Sequence, residues 1–308
     1  MMNEFEFISW LRQVLDRPVG RTGVAVGIGD DMAVIDLPGG KVLLGSDMVI
    51  ENIHFTFPDA KPEEVGHKAL GRCLSDCAAM AGEPVAAIVS VARPPEMPVE
   101  ILKGVFQGMM QLADRFGCPI VGGDTSHSEK GLVLDVCLLG KCQRNEPTLR
   151  RGAKAGDYLY VTGTLGGSIL GKHLRFEPKI EQGLWIAEHL PVHAMIDISD
   201  GLSSDLGHMC AESRCGAELF SHAVEAAISV DARKLSAKTG KEAMDYAIND
   251  GEDFELLAAI GISPSELPDL PENVRLLPIG RIVEESGILM IYPTGRRVEI
   301  QAGGYRHF

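Results

Sequence analysis

The sequence predicts a mixed α/β protein in two domains of similar size, and three features predict it. Its 308 residues fill two domains at about 100–200 residues each. Apolar β-branched runs alternate with longer stretches of helical periodicity. A polar, basic interruption near the middle, Lys141–Asp157, follows neither period and reads as a connection between halves.

In the first half, Val24–Leu37 and Val42–Ile50 are apolar runs punctuated by Gly and Asp, which reads as strands. Pro62 opens a helix to about Met80, with Val65, Ala69, Leu70, Cys73, Leu74 and Cys77 at helical spacing. Pro84–Ala92 reads as a strand and Val99–Phe116 as an amphipathic helix; Ile120–Gly122 and Leu132–Gly140 add two strands. Beyond the interruption come strand Tyr158–Thr162, a Gly-rich turn and a helix, then strand Ala194–Ile198 and helix Ser203–Glu212. Strands at Phe254–Ile260 and Ile288–Tyr292 complete the second half. The expected domains are 1–142 and 143–308.

Composition narrows the function. With 29 Lys plus Arg against 43 Asp plus Glu, the net charge is -14. A general nucleic-acid binder needs a basic footprint, and so does a protein that docks on anionic membrane. A phosphate-bearing ligand is still compatible, because clustered carboxylates hold Mg²⁺ and the metal then meets the phosphate. The opening MMNEFEFISW has no basic segment followed by an apolar core, and no apolar run approaches the ~20 residues of a membrane helix. Seven cysteines at 73, 77, 118, 137, 142, 210 and 215 form an odd, scattered set. They read as reduced, small buried hydrophobes in a cytoplasmic protein.

The informative feature is where the aspartates sit. They recur where apolar runs end, beside Gly or Ser: Gly29-Asp30-Asp31, Ser46-Asp47, Ser75-Asp76, Gly122-Gly123-Asp124-Thr125, Asp197-Ile198-Ser199-Asp200-Gly201 and Asp250-Gly251-Glu252-Asp253. An acid at a strand end faces a cleft, and a neighbouring Gly lets backbone N–H groups approach an anion. Any one such pair is an ordinary turn or helix cap. Several together would repel one another unless cations stood between them. Oxygen donors without a His/Cys cluster suit Mg²⁺ rather than zinc, and carboxylates, Mg²⁺ and Gly-rich turns together suggest phosphoryl transfer.

Two other patterns carry less. Gly166–Lys172 (GGSILGK) follows a strand and matches most of a phosphate-binding loop, but His173 stands where Ser or Thr would ligate Mg²⁺. His189 and His193 are four apart with Pro191 between them, which argues against a helical metal pair.

Read in order, the acid segments resemble the thiamine-monophosphate kinases, in the family that includes aminoimidazole ribonucleotide synthetase. Besides those quoted, the matching segments are Ile53-His54-Phe55, Leu74–Met80, Arg150–Asp157 leading into Val161-Thr162-Gly163, Gly251–Leu256 and the C-terminal Gly304-Tyr305-Arg306-His307-Phe308. The resemblance implies an aminoimidazole ribonucleotide synthetase-like fold. Its N-terminal, ATP- and metal-binding domain would share a β-barrel with a second subunit, making a homodimer, and a C-terminal α/β domain would pack beside it. It implies Mg²⁺ ligands, for several ions, at Asp30, Ser46, Asp47, Asp76, Asp124, Asp197 and Asp200. It implies ATP contacts from Gly123, Asp124, Arg150 and Ser199, and thiamine phosphate contacts from His54, Glu252 and Tyr305. The implied activity is phosphorylation of thiamine monophosphate to thiamine diphosphate by in-line transfer from ATP, with no protein nucleophile. The alternatives are a related ATP-dependent enzyme with another acceptor and an inactive nucleotide-binding relative. Gly45 and Cys73 depart from the family pattern, standing where it usually has Ser or Thr and Asn.

Overall fold

A computed structural model describes residues 4–15, 23–142, 146–301 and 303–304. Helix α1 (Glu4–Leu15) precedes a sheet built from β1 (Val24–Val26), β2 (Ala33–Leu37), β3 (Gly40–Ile50), β4 (Gly82–Arg93), β5 (Ile120–His127) and β6 (Val133–Cys142), with helices α2 (Pro62–Ala79) and α3 (Val99–Phe116) inserted among them. The strand order is β1-β2-β3-β6-β4-β5. Only β4 and β5 run parallel, joined through α3; the other neighbours are antiparallel.

The second half begins with β7 (Tyr158–Val161), α4 (Lys172–Arg175), α5 (Ile180–His189), β8 (Val192–Asp197), α6 (Leu202–Ser213) and β9 (Gly216–Phe220). It continues through α7 (Ser221–Ala227), α8 (Val230–Thr239), α9 (Ala243–Asn249), β10 (Leu256–Ile260), β11 (Leu277–Val283), β12 (Gly287–Ile291) and β13 (Arg297–Glu299). Its sheet has the order β13-β12-β9-β11-β7-β10-β8, parallel only between β9 and β12.

Helix α2 is the central element. Pro62 occupies its first turn, and the Glu64 carboxylate accepts the Lys61 N–H at 3.0 Å, so its start is set locally. Its apolar residues Leu70, Leu74 and Ala78 join one core with Val136 and Leu138 of the first sheet and with Ile186, Met195 and Leu256 of the second half. Helix α3 lies so close that a β-carbon at Gly66 would overlap the Val105 carbonyl, and one at Gly108 the Glu63 carbonyl. Only glycine allows that approach.

The expected elements are present with shifted ends. The strand expected at Ile120–Gly122 runs on to His127, because pairing with β4 continues through Gly123 and Asp124. The expected strand start at Phe254 moves to Leu256, since Glu252 and Phe254 both have left-handed backbone (φ 62° and 49°). The polar interruption begins inside β6, and from Thr148 to Gly156 it is tied by backbone hydrogen bonds to the end of α2 and to the second sheet. Thr148 N–H donates to Met80 O, Met195 N–H to Leu149 O, and Gly156 N–H to Ile282 O.

The first sheet has two unlike faces. Leu43, Val49, Leu134 and Val89 are buried toward α2, whereas Leu44, Met48, Ile88 and Leu139 are exposed on the other side. Cross-strand partners share a face, so Ser46, paired with Cys137, and Asp124, paired with Ser90, stand in the rows of the open face.

Candidate functional site

Asp31, Asp76 and Asp197 carry carboxylate oxygens within 4.8 Å of one another. Three separate elements supply them: the turn before β2, the last turn of α2 and the end of β8. Ser75 Oγ donates to Asp197 Oδ2 at 2.6 Å. Arg150 grips Asp31 Oδ1 through Nε at 3.1 Å and Nη2 at 2.7 Å, and its backbone N–H donates to both oxygens of Asp30 at 3.2 and 3.3 Å. Asp47 projects from β3 toward α2 and accepts from Arg72 Nη2 at 3.2 Å.

The acids suppress one another's ionisation. Burial first, then the charges of Asp47, Asp197 and Asp31, push the Asp76 carboxyl well above its usual range. Burial and the charge of Asp31 lift Asp197 to about 7, and the same two causes lift Asp30 to about 7. Asp31 Oδ2 is buried with no hydrogen-bond partner among the described residues. Packed oxygen donors, one of them unsatisfied, with Arg150 alone set against Asp31, fit a hard divalent cation such as Mg²⁺.

A cavity of about 600 Å³ opens beside this cluster, with Ile53, His54, Arg72, Glu252 and Phe254 on its wall. Ser199 and Asp200 also line it. His54 Nδ1 accepts from the Ile50 N–H at 3.0 Å, which puts the ring proton on Nε2. Glu252 is held by Lys68 Nζ, whose side chain is fully buried, at 2.7 Å, and by His173 Nδ1 at 3.3 Å. Burial alone would raise the Glu252 carboxyl. The His173 hydrogen bond and the Lys68 and Arg72 charges outweigh it and hold it down at about 2, so Glu252 is a permanent anion in the wall. Its left-handed backbone is pinned from behind, the Glu252 N–H donating to Ser199 O at 2.7 Å and the Phe254 N–H to Ile198 O at 2.8 Å.

The residues expected from sequence thus divide. Asp47, Asp76 and Asp197 lie together, with Asp30 beside them. Within the sequence pair Asp30-Asp31 it is Asp31 whose side chain enters the three-acid group. Asp200 belongs to a separate group with Asp205 and His208, in which Asp205 caps α6 by accepting the Asp200 and Gly201 N–H groups at 3.1 Å. Ser46 and Asp124 face away from α2, and Gly123 lies on the edge strand with Asp124. Arg150 is at the acids and Ser199 at the cavity. His54 and Glu252 share the cavity wall; Tyr305 lies outside the described residues, but Gly303 and Gly304 reach the cavity rim.

Sequence reasoning missed Lys68, Arg72 and His173. A signal existed for two of them: Lys68, Arg72 and Asp76 recur every fourth residue along one helix, on the same face. The departures from pattern are local. A β-carbon at Gly45 would press on Met32 Cγ at 3.0 Å, and Cys73 is a buried donor to Val136 O at 3.1 Å. The Gly166–Lys172 turn is not a phosphate cradle: Asp253 and Asp250 already take the Gly166 and Gly167 N–H groups, and Glu255 takes Lys172. His193 is paired with Asp157 and His189 stacks on Trp185.

Comparison with known proteins identifies the family. Residues 29–142 match the family described as AIR synthase related protein, N-terminal domain. The thiamine-monophosphate kinase of Rhodopirellula baltica is 36% identical over 317 residues, covering 99% of this chain and 97% of that protein. The Bacillus subtilis thiamine-monophosphate kinase is 30% identical, covering 100% of each. A solved structure of AaThiL complexed with AMPPCP and TMP superposes with a TM-score of 0.84 at 28% identity, covering 100% of this chain and 97% of that one. Residues 29–142 therefore carry a domain of the AIR synthase related class. Within that class, the chain belongs to the thiamine-monophosphate kinase family.

Proposed function

We propose that this protein transfers the γ-phosphoryl group of ATP to the phosphate of thiamine monophosphate, giving thiamine diphosphate and ADP. The observation that carries the reading is Glu252. It is a carboxylate kept ionised in a wall that also offers Ile53 and Phe254, one helix away from a cluster of acids. Thiamine presents a cationic thiazolium and an aminopyrimidine, which suit a fixed anion beside apolar surface. The alignment with thiamine-monophosphate kinases over nearly the whole chain supports the same acceptor.

In this reading an ionised oxygen of the acceptor phosphate attacks the γ-phosphorus. A new oxygen–phosphorus bond forms, the bond from the γ-phosphorus to the β,γ-bridging oxygen breaks, and its electron pair leaves with ADP. The attacking group is already anionic, so no side chain need act as nucleophile or base. Asp30, Asp31, Asp47, Asp76 and Asp197 would hold Mg²⁺, with Asp200 at the cavity side. Bound there, Mg²⁺ supplies charge neutralisation for the phosphates. The protein's own contribution is positioning: His54 and Glu252, with Tyr305 from the tail, orient the acceptor, and Arg150 and Ser199 orient the nucleotide. Ser46, Gly123 and Asp124 enter through the open sheet face, which we propose packs against a second copy to complete the site in a homodimer.

The test is incubation with ATP, Mg²⁺ and thiamine monophosphate, followed by separation of the products. Thiamine diphosphate and ADP should appear in equal amounts. ATP consumption that ignores thiamine monophosphate would overturn the reading.

A further inference from the structure

Helix α2 runs from the cavity to the acid cluster, and three charged residues mark the way. Lys68, Arg72 and Asp76 are spaced by four, so they lie on one face with successive Cα atoms about 6 Å apart. Lys68 serves the cavity end. Its Nζ donates to the His54 carbonyl at 2.6 Å and to Glu252 Oε2 at 2.8 Å, fixing two wall residues from behind. Asp76 serves the other end, with Asp31 and Asp197.

Arg72 stands between the two. It lines the cavity. Its Nη2 donates to Asp47 at 3.2 Å, while its Nη1 is 3.7 Å from Glu252 Oε1, too far for a hydrogen bond. Its Nε is buried with no hydrogen-bond partner among the described residues. A guanidinium offers planar, paired donors suited to phosphate, and here that capacity is only partly used. The charges on either side hold it in place without saturating it.

We infer that Arg72 receives the phosphate group of the acceptor and holds it between the Glu252 wall and the acid cluster. The inference rests on the thiamine monophosphate reading and deepens it by assigning the residue that distinguishes phosphorylated from unphosphorylated acceptor. An acceptor whose cationic end meets Glu252 extends its phosphate along α2 toward Asp76, and Arg72 is the cation that this path crosses. Lys68 is placed otherwise: its ammonium is committed to Glu252 and the His54 carbonyl, so it positions the wall and leaves the phosphate to Arg72.

Calorimetry with Mg²⁺ and a non-hydrolysable ATP analogue, titrating thiamine and thiamine monophosphate separately, tests this. The wild type should prefer the monophosphate. In Arg72→Gln that preference should shrink by about tenfold or more, with thiamine affinity changed by less than about threefold. Acceptor kcat/KM should fall about a hundredfold while the KM for ATP stays within about threefold. Arg72→Lys keeps the charge and should fold like the wild type. It should lose about tenfold in acceptor kcat/KM because the planar pair of donors is gone. A preference unchanged in Arg72→Gln overturns the inference. So does an equal loss of thiamine and monophosphate binding, which would mean that Arg72 only braces Glu252 and Asp47. Should the Gln variant fail to fold, an unchanged acceptor kcat/KM in Arg72→Lys overturns it alone. Failure of the functional reading shows itself separately, as a wild type that neither binds nor phosphorylates thiamine monophosphate.

Discussion

Asp76 illustrates how individual side chains here trade stability for binding. Its carboxylate sits in the last turn of a buried helix, where burial and the charges of Asp47, Asp197 and Asp31 outweigh the opposing charge of Arg150. Asp30 and Asp197 titrate at about 7 for related reasons, against 3.8 for a free aspartate. The folded state therefore binds more protons than the unfolded chain between those values. Without metal, stability should be greatest near pH 4 and fall as pH rises through about 7. Mg²⁺ should reverse that fall, and more strongly at pH 8 than at pH 6. Asp76→Asn removes one of the repelling charges. In EDTA at pH 8 it should be more stable than wild type by about 1–3 kcal/mol, gain less from Mg²⁺, and turn over at least a hundredfold more slowly. Thermal melts of both proteins across pH, with and without Mg²⁺, check this. A variant that melts lower in EDTA would mean that the acids do not strain the fold.

At the scale of elements, α2 does more than any strand. It fills the space between the two sheets, supplies Ser75 and Asp76 to the acids, and supplies Lys68 and Arg72 to the cavity. Its position depends on contact with α3 at Gly66 and Gly108. Gly108→Ala would force the α3 backbone away from the Glu63 carbonyl. Such overpacking should cost about 1–3 kcal/mol and lower kcat by shifting the face that carries Arg72 and Asp76. Gly207, inside α6, has open space where its β-carbon would go. Gly207→Ala should be stabilising by about 0.5–1 kcal/mol. Denaturant midpoints and kcat measured side by side test the pair, and equal effects at the two glycines would contradict the packing argument.

At the scale of the molecule, the first sheet is unfinished. Among the described residues its β5 edge pairs on one side only, Val121 on that strand is 65% exposed, and Met48 and Ile88 on the open face are 48% and 45% exposed. Unpaired edges and contiguous apolar rows are the usual marks of a surface that another chain covers. The protein should sediment at twice 33.2 kDa. Ile88→Lys with Met48→Lys should shift it to monomer and depress activity, since Asp124 and Ser46 share that face. A wild type that is monomeric and fully active at assay concentration would remove the dimer from the proposal.

Local rules were enough to read α3 to its last residue, because its amphipathic period and the Gly117 stop are written in adjacent residues. They also marked the acids, since Asp beside Gly or Ser at the end of an apolar run is a short-range pattern. The family was legible for the same reason: its segments keep their order along the chain. Strands such as β9 and β11 were not legible; neither gives the period-two signal of a half-buried strand, and their partners lie far away in sequence. The resemblance named Asp30, whereas it is the side chain of Asp31 that joins Asp76 and Asp197. That depended on which carboxylate Arg150, 119 residues away, would grip through its side chain. The sequence alone determined the inventory of acids and the helices and strands that carry them. Only the tertiary structure decided which acids meet, that Lys68 and His173 keep Glu252 charged, and that Arg72 stands between pocket and cluster, because charge and burial act through space between residues the chain keeps apart.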